Sequence, residues 1–111
     1  MKPKFDPDEM VVSDKRGAVL VCAACGGVNT KQERIEVFDR KDDEDKGCHV
    51  AVEEGKVAFD MDMSRNPSAR KRGTRIFISC KKWDAISILE IIQHKDYTFI
   101  CHRTGTPEDS K

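Results

Sequence analysis

The sequence predicts a mainly β fold, a small antiparallel sheet with little helix. Three observations predict it. Apolar residues recur at every second position in several short runs. A Glu54-Gly55 pair sits between two such runs, where a hairpin turn belongs. A Cys-x-x-Cys-Gly-Gly knuckle stands early in the chain, at Cys22-Ala23-Ala24-Cys25-Gly26-Gly27, with the spacing of half a zinc ribbon.

The elements follow in order. Residues 1–16 are polar, hold two prolines and show no period, so they read as a flexible arm with solvated charges. Gly17-Ala18-Val19-Leu20-Val21-Cys22 is a short apolar run, a buried strand leading into the knuckle. Ile35 and Val37 alternate with polar neighbours and mark a half-buried strand, which ends in the charged loop 39–46. Cys48, Val50 and Val52 share one face of the next strand. Val57, Phe59, Met61 and Met63 continue that face after the turn, and Asp60 and Asp62 are expected to face solvent. Pro67 and Gly73 keep the basic stretch 64–73 out of any regular element. Ile76, Ile78 and Cys80 alternate with Arg75, Phe77 and Ser79 in another strand. The run 85–92 fits a helical turn or a strand, and its four isoleucines and short length favour the strand. His94-Lys95-Asp96-Tyr97 reads as a turn and Thr98-Phe99-Ile100-Cys101 as the returning strand. The single β-rich domain therefore spans residues 17–103, with a frayed tail at 104–111.

With 111 residues the chain builds one domain. Its 38% apolar and 36% charged residues imply a small core under a heavily charged surface, which a metal, an oligomer interface or a partner would support. Net charge is zero, but residues 1–63 carry −5 and residues 64–111 carry +5. Such sign-complementary halves suit a homodimer as well as an internal pairing. The N-terminus has no apolar run after its lysines and no stretch approaches a membrane span, so a cytoplasmic protein with no membrane partner is expected. Five cysteines, an odd count, fit reduced thiols and metal binding better than a disulfide framework.

Two thiolates on one turn fill two corners of a tetrahedral Zn²⁺, and a closed site needs two more. The best-placed second pair reads Cys80-Lys81-Lys82-Trp83, with tryptophan where a fourth cysteine would stand. One structural Zn²⁺ on Cys22, Cys25 and Cys80 then needs a fourth ligand, with Cys48, His94 and Cys101 as the main candidates and His49 and His102 beside them. Two other readings stay open: three small apolar cysteines packed at a sheet corner with Trp83 plugging the vacated place, and a redox Cys-x-x-Cys. Residues 64–82 hold Arg65, Arg70, Lys71, Arg72, Arg75, Lys81 and Lys82 without an acid, and Phe77 and Trp83 lie close in sequence. This is the candidate partner-binding surface, able to fork onto phosphates or carboxylates and to stack a base. No Ser-His-Asp spacing, phosphate-cradling glycine loop or paired acid points to catalysis.

Four segments carry a resemblance: Cys22-Ala23-Ala24-Cys25-Gly26, the Arg65-Asn66-Pro67-Ser68 run with Arg70 and Gly73, Ile76-Phe77-Ile78-Ser79-Cys80, and Leu89 and Ile91 before Gln93-His94-Lys95. Over roughly residues 18–102 the chain resembles a group of small zinc-ribbon-like proteins encoded by phages and prophages. Members of that group carry a second Cys-x-x-Cys where this chain has Cys80-Lys81-Lys82-Trp83, and a glycine where it has Asp96. The resemblance implies a zinc-ribbon-like β fold from a mobile element and no particular activity. It favours an inhibitor that captures a host protein complex, such as an anti-CRISPR or other counter-defence factor. The alternative is a nucleic-acid-binding accessory protein that uses the basic loop.

Overall fold

The computed structural model describes residues 13–14, 17–81, 86–106 and 109. Lys82 and Trp83, and nearly all of the expected arm, lie outside the described residues. Two short strands, β1 (Ser13–Asp14) and β2 (Gly17–Ala18), pair with each other. The body is one six-stranded antiparallel sheet of β3 (Thr30–Asp39), β4 (Cys48–Glu53), β5 (Lys56–Asp60), β6 (Gly73–Cys80), β7 (Ile86–His94) and β8 (Tyr97–Thr104). Its order is β5-β4-β3-β6-β7-β8. The mainly β expectation holds, and residues 86–92 of the ambiguous run fall in β7, with Ala85 outside the described residues. No helix among the described residues is long and apolar enough to cross a membrane.

The turns explain the pairing. Glu54 (φ 52°) and Gly55 (φ 75°) both adopt positive φ, the conformation of a type I′ turn, whose twist matches that of the flanking strands. Lys95 (φ 54°) does similar work between His94 and Tyr97. The hairpin is shorter than its apolar pattern suggests: β5 ends at Asp60, so Met61 and Met63 follow it as irregular chain.

Register places two unbroken rows on one face. One row runs Val57, Val52, Ile35, Ile76, Leu89, His102; the next runs Phe59, Val50, Val37, Thr74, Ile91, Ile100. Neither row contains Asp, Glu, Lys or Arg. The expected strand into the knuckle is confined to Gly17–Ala18, and the chain after it leaves pairing to cross this face. There Leu20 shares a pocket of ≈ 220 Å³ with Thr30, Gln32, Ile76, Ile78 and Leu89. Leu20 therefore covers the Cys80 end of the face as far as Ile76 and Leu89 of the first row. Farther along, Val57 is 69% exposed, Phe59 66% and Val37 43%. The apolar side of the hairpin is thus its open side, and β4 buries His49 and Ala51 instead.

The opposite face is covered by the loop after β5 and by the segment after β8. It holds Phe38, Phe77 and Ile88 together with a chain of charges. Glu36, 2% exposed, accepts hydrogen bonds from His49 Nε2 (2.6 Å) and Arg34 Nη2 (3.4 Å), with Arg75 Nε at 3.6 Å. His49 Nδ1 reaches Asp60 Oδ1 at 2.9 Å, and the ring stacks on Phe38 with centroids 4.4 Å apart. Asp60 is therefore tied to this network, although its carboxylate stays half exposed. Arg75 lies over the Phe77 ring at 4.8 Å and donates to the Asp109 carbonyl at 2.9 Å. Arg103 grips the Asp109 carboxylate with two bonds of 2.9 Å and Glu90 with a third of 3.0 Å.

The bidentate bond from Arg103, helped by the Thr106 amide and hydroxyl, holds the Asp109 carboxyl well below the usual carboxylate range against the effect of burial. A carboxyl depressed on folding adds stability above its unfolded pKa of about 4, and that stability is lost as the pH falls through the folded value. Thermal scans from pH 5 down to pH 2 are therefore expected to show a falling midpoint. Asp109→Asn is expected to start lower at pH 5 and to fall less. Asp60 and Asp62, also held low, leave a residual slope in that variant.

Candidate metal centre

The knuckle closes on its own backbone. The Gly26 N–H donates to the Cys22 carbonyl and the Cys22 N–H to the Gly27 carbonyl, both at 2.8 Å. Gly26 sits at φ +73°, the positive φ the turn requires. Two amides point at the sulfurs: Ala24 N–H at Cys22 Sγ and Gly27 N–H at Cys25 Sγ, both at 3.4 Å. Cys80 arrives from the end of β6, opposite Thr30. Just inside that end β3 carries a bulge between Gln32 and Arg34, which adds local twist where the strand meets the knuckle. The Lys81 N–H then donates to the Asn29 carbonyl at 3.0 Å, clamping the two segments together.

Cys22, Cys25 and Cys80 converge. Their sulfurs lie within 4.8 Å of one another, and Cys25 Sγ is 3.3 Å from Cys80 Sγ. Sulfurs bound to one ion at about 2.3 Å would sit roughly 3.8 Å apart, so the cluster fits a metal with small adjustment. The Gly27 amide is the largest single influence on the Cys25 thiol and pulls it down. Contact with Cys80, burial and nearby Cys22 outweigh it and push the thiol above its ordinary range. Crowded thiols resist ionisation until a cation shares their charge, which is the condition a thiolate metal centre meets.

The main candidates for the fourth ligand do not reach the cluster. Cys48 pairs with Asp39 at the opposite end of β3, about 30 Å along the strand from Thr30. His94 stands beside Tyr97 and Phe99 at the far end of β7. Cys101 pairs with Glu90 in the middle of β8, on the covered face. His49 is held between Glu36 and Asp60, and His102 pairs with Leu89. Antiparallel register, not nearness in sequence, separates them from Cys80. Among the described residues the cluster has three ligands.

The basic loop is mostly occupied by its own chain. Arg70 Nε meets Asp43 at 3.2 Å, Lys71 Nζ meets Asp42 at 3.2 Å, and Arg72 Nε meets Asp39 at 2.6 Å. The acidic loop 39–45 thus pairs with the basic loop inside one molecule. Arg75 is buried in the charge network, Arg65 offers its carbonyl to Arg75, and Lys81 is exposed next to Cys80 of the cysteine cluster.

The Asn-Pro-Ser run has a structural role. The Asn66 side chain donates to the Lys71 carbonyl and accepts from the Ser68 N–H, both at 2.9 Å, and the Ser68 hydroxyl donates to the Gln93 carbonyl at 2.7 Å. Arg40, which composition and spacing did not single out, donates to the carbonyls of Lys71, Glu44 and Ser68. Gly73 lies under this loop: a Cβ there would meet the Asn66 side chain and come within 2.7 Å of Pro67 Cγ. Gly73→Ala is therefore expected to lower stability by about 1–3 kcal/mol, read as a shift in the urea midpoint.

No protein-family model matches this chain, and no curated protein or solved structure matches it significantly.

Proposed function

We propose that this chain is a non-enzymatic binding protein of a mobile element, fastened by one structural Zn²⁺ on Cys22, Cys25 and Cys80. In this reading it acts in the host cytoplasm by occupying a host protein complex, as an anti-CRISPR or other counter-defence inhibitor does. The observation that carries it is the internal neutralisation of the basic loop. Arg70, Lys71 and Arg72 each face an aspartate of the same chain, so a phosphate backbone would have to displace three ion pairs. What remains outside is a patch of alternating sign, suited to steering and registering a protein partner. An all-thiol donor set with amides aimed at the sulfurs supports a structural ion, and zinc suits such donors.

Fluorescence anisotropy with labelled single- and double-stranded oligonucleotides at about 50 mM salt tests this reading. No binding is expected. The tagged protein, passed through host lysate, should retain one protein complex in fixed stoichiometry by native mass spectrometry. Oligonucleotide binding that falls steeply with salt, and that disappears in an Arg70→Ala, Lys71→Ala, Arg72→Ala triple variant, would instead establish the nucleic-acid reading.

A further inference from the structure

We infer that the uncharged face of the sheet is a self-association surface, covered in solution by the same face of a second copy of this chain. The inference goes beyond the inhibitor reading, which concerns the charged loops. It rests on the two rows that run across all six strands, about 24 Å, without a charged residue, in a chain of which 36% is charged. Burial pushes the His102 imidazole below its ordinary range, so the end of its row stays neutral near pH 7.

An occupant of this face must itself be uncharged over the same span, because any charge it brought would be desolvated without a partner. The chain carries one such surface among its described residues, this face. Its zero net charge leaves no long-range repulsion between copies, and its charged loops already pair internally. The area is adequate. Side chains of this size present on the order of 150–200 Å² each when free, so the exposed and half-exposed members offer roughly 600 Å² per copy. Twice that falls at the lower end of the ~1,200–2,000 Å² of a specific interface. A two-fold axis relates the two copies, so the same residues meet from both sides. Two sheets then stack about 10 Å apart, as in a sandwich.

Sedimentation equilibrium of the full chain, with zinc and reductant, from about 1 to 200 µM is the test. A monomer–dimer equilibrium in the micromolar range is expected. Phe59→Lys and Val37→Lys, both at exposed positions on the face, should each weaken it by about tenfold or more with an unchanged circular dichroism spectrum. Tyr97→Lys, equally exposed but on the opposite side of the sheet, should leave it unaltered. A monomer at the highest concentration overturns the inference and leaves the inhibitor reading untouched. A dimer that ignores Phe59→Lys and Val37→Lys, or that responds to Tyr97→Lys instead, also overturns it.

Discussion

Replacing Cys80 by serine is expected to abolish metal binding and to lower the stability of the chain by several kcal/mol. Of the three cysteines only Cys80 belongs to the sheet, and Cys22 and Cys25 both belong to the knuckle, so an ion shared by the three would join sheet and knuckle through Cys80. Structural zinc contributes on the order of 10 kcal/mol to the folding of small thiolate domains, comparable with the whole stability of a domain this size. Here a core of few large residues makes that contribution weighty. Elemental analysis should find one zinc per chain in the parent protein and none in Cys80→Ser. Even a partial loss of about 3 kcal/mol would lower the melting midpoint by roughly 12–24 °C. Cys48→Ser should keep its zinc, since that thiol lies at the far end of β3. A metal-free parent protein, with Cys80→Ser costing about 1 kcal/mol or less, would identify the cluster as three packed thiols and leave the fold resting on its sheet.

Glu36→Ala is expected to cost about 3–5 kcal/mol, the effect of removing one partner from a buried ionic cluster. Glu36 faces His49, Arg34 and Arg75, and two of these three are buried with it. Its loss leaves the Arg75 guanidinium against Phe77 with Asp109 as its remaining carboxylate. Chemical denaturation with an unchanged slope but a lower midpoint would show the full penalty. A loss below about 1 kcal/mol would mean that water replaces the carboxylate and that the network adds little net stability. A buried network of this kind suits specification of one register: a one-residue slip of β3 against β6 would carry Glu36 out to the open face and away from Arg75.

Much of the fold was legible because strand pairing writes itself into alternation and turn residues. Glu54-Gly55 and the Ile76, Ile78, Cys80 alternation are local signals, and a period of two survives whatever the rest of the chain does. The side that each strand buries was not legible. Val50, Val52, Val57 and Phe59 are the more apolar side of their hairpin, yet that side is open, because the loop carrying Asn66, Pro67 and Ser68 lies over the other one. No local pattern says which face a loop some ten residues away will cover. The strand expected over 17–22 shrank for a related reason: Leu20 serves as a cover over the sheet and not as a rung of it.

By itself the sequence determined the β class, the hairpin turns, the knuckle with its positive-φ glycine, and the three cysteines that meet. All of these rest on short-range geometry, with Cys80 supplied by a strand end that the knuckle spacing led one to seek. Tertiary structure alone decided where charge and apolar surface go. It matched Arg70, Lys71 and Arg72 with Asp43, Asp42 and Asp39, buried Glu36 with Arg75, tied Asp109 to Arg103, and carried Cys48, His94 and Cys101 away from the cluster. Composition counts charges without saying which will meet. In an antiparallel sheet that is settled by register and by the path of the covering loops, which bring together residues tens of positions apart.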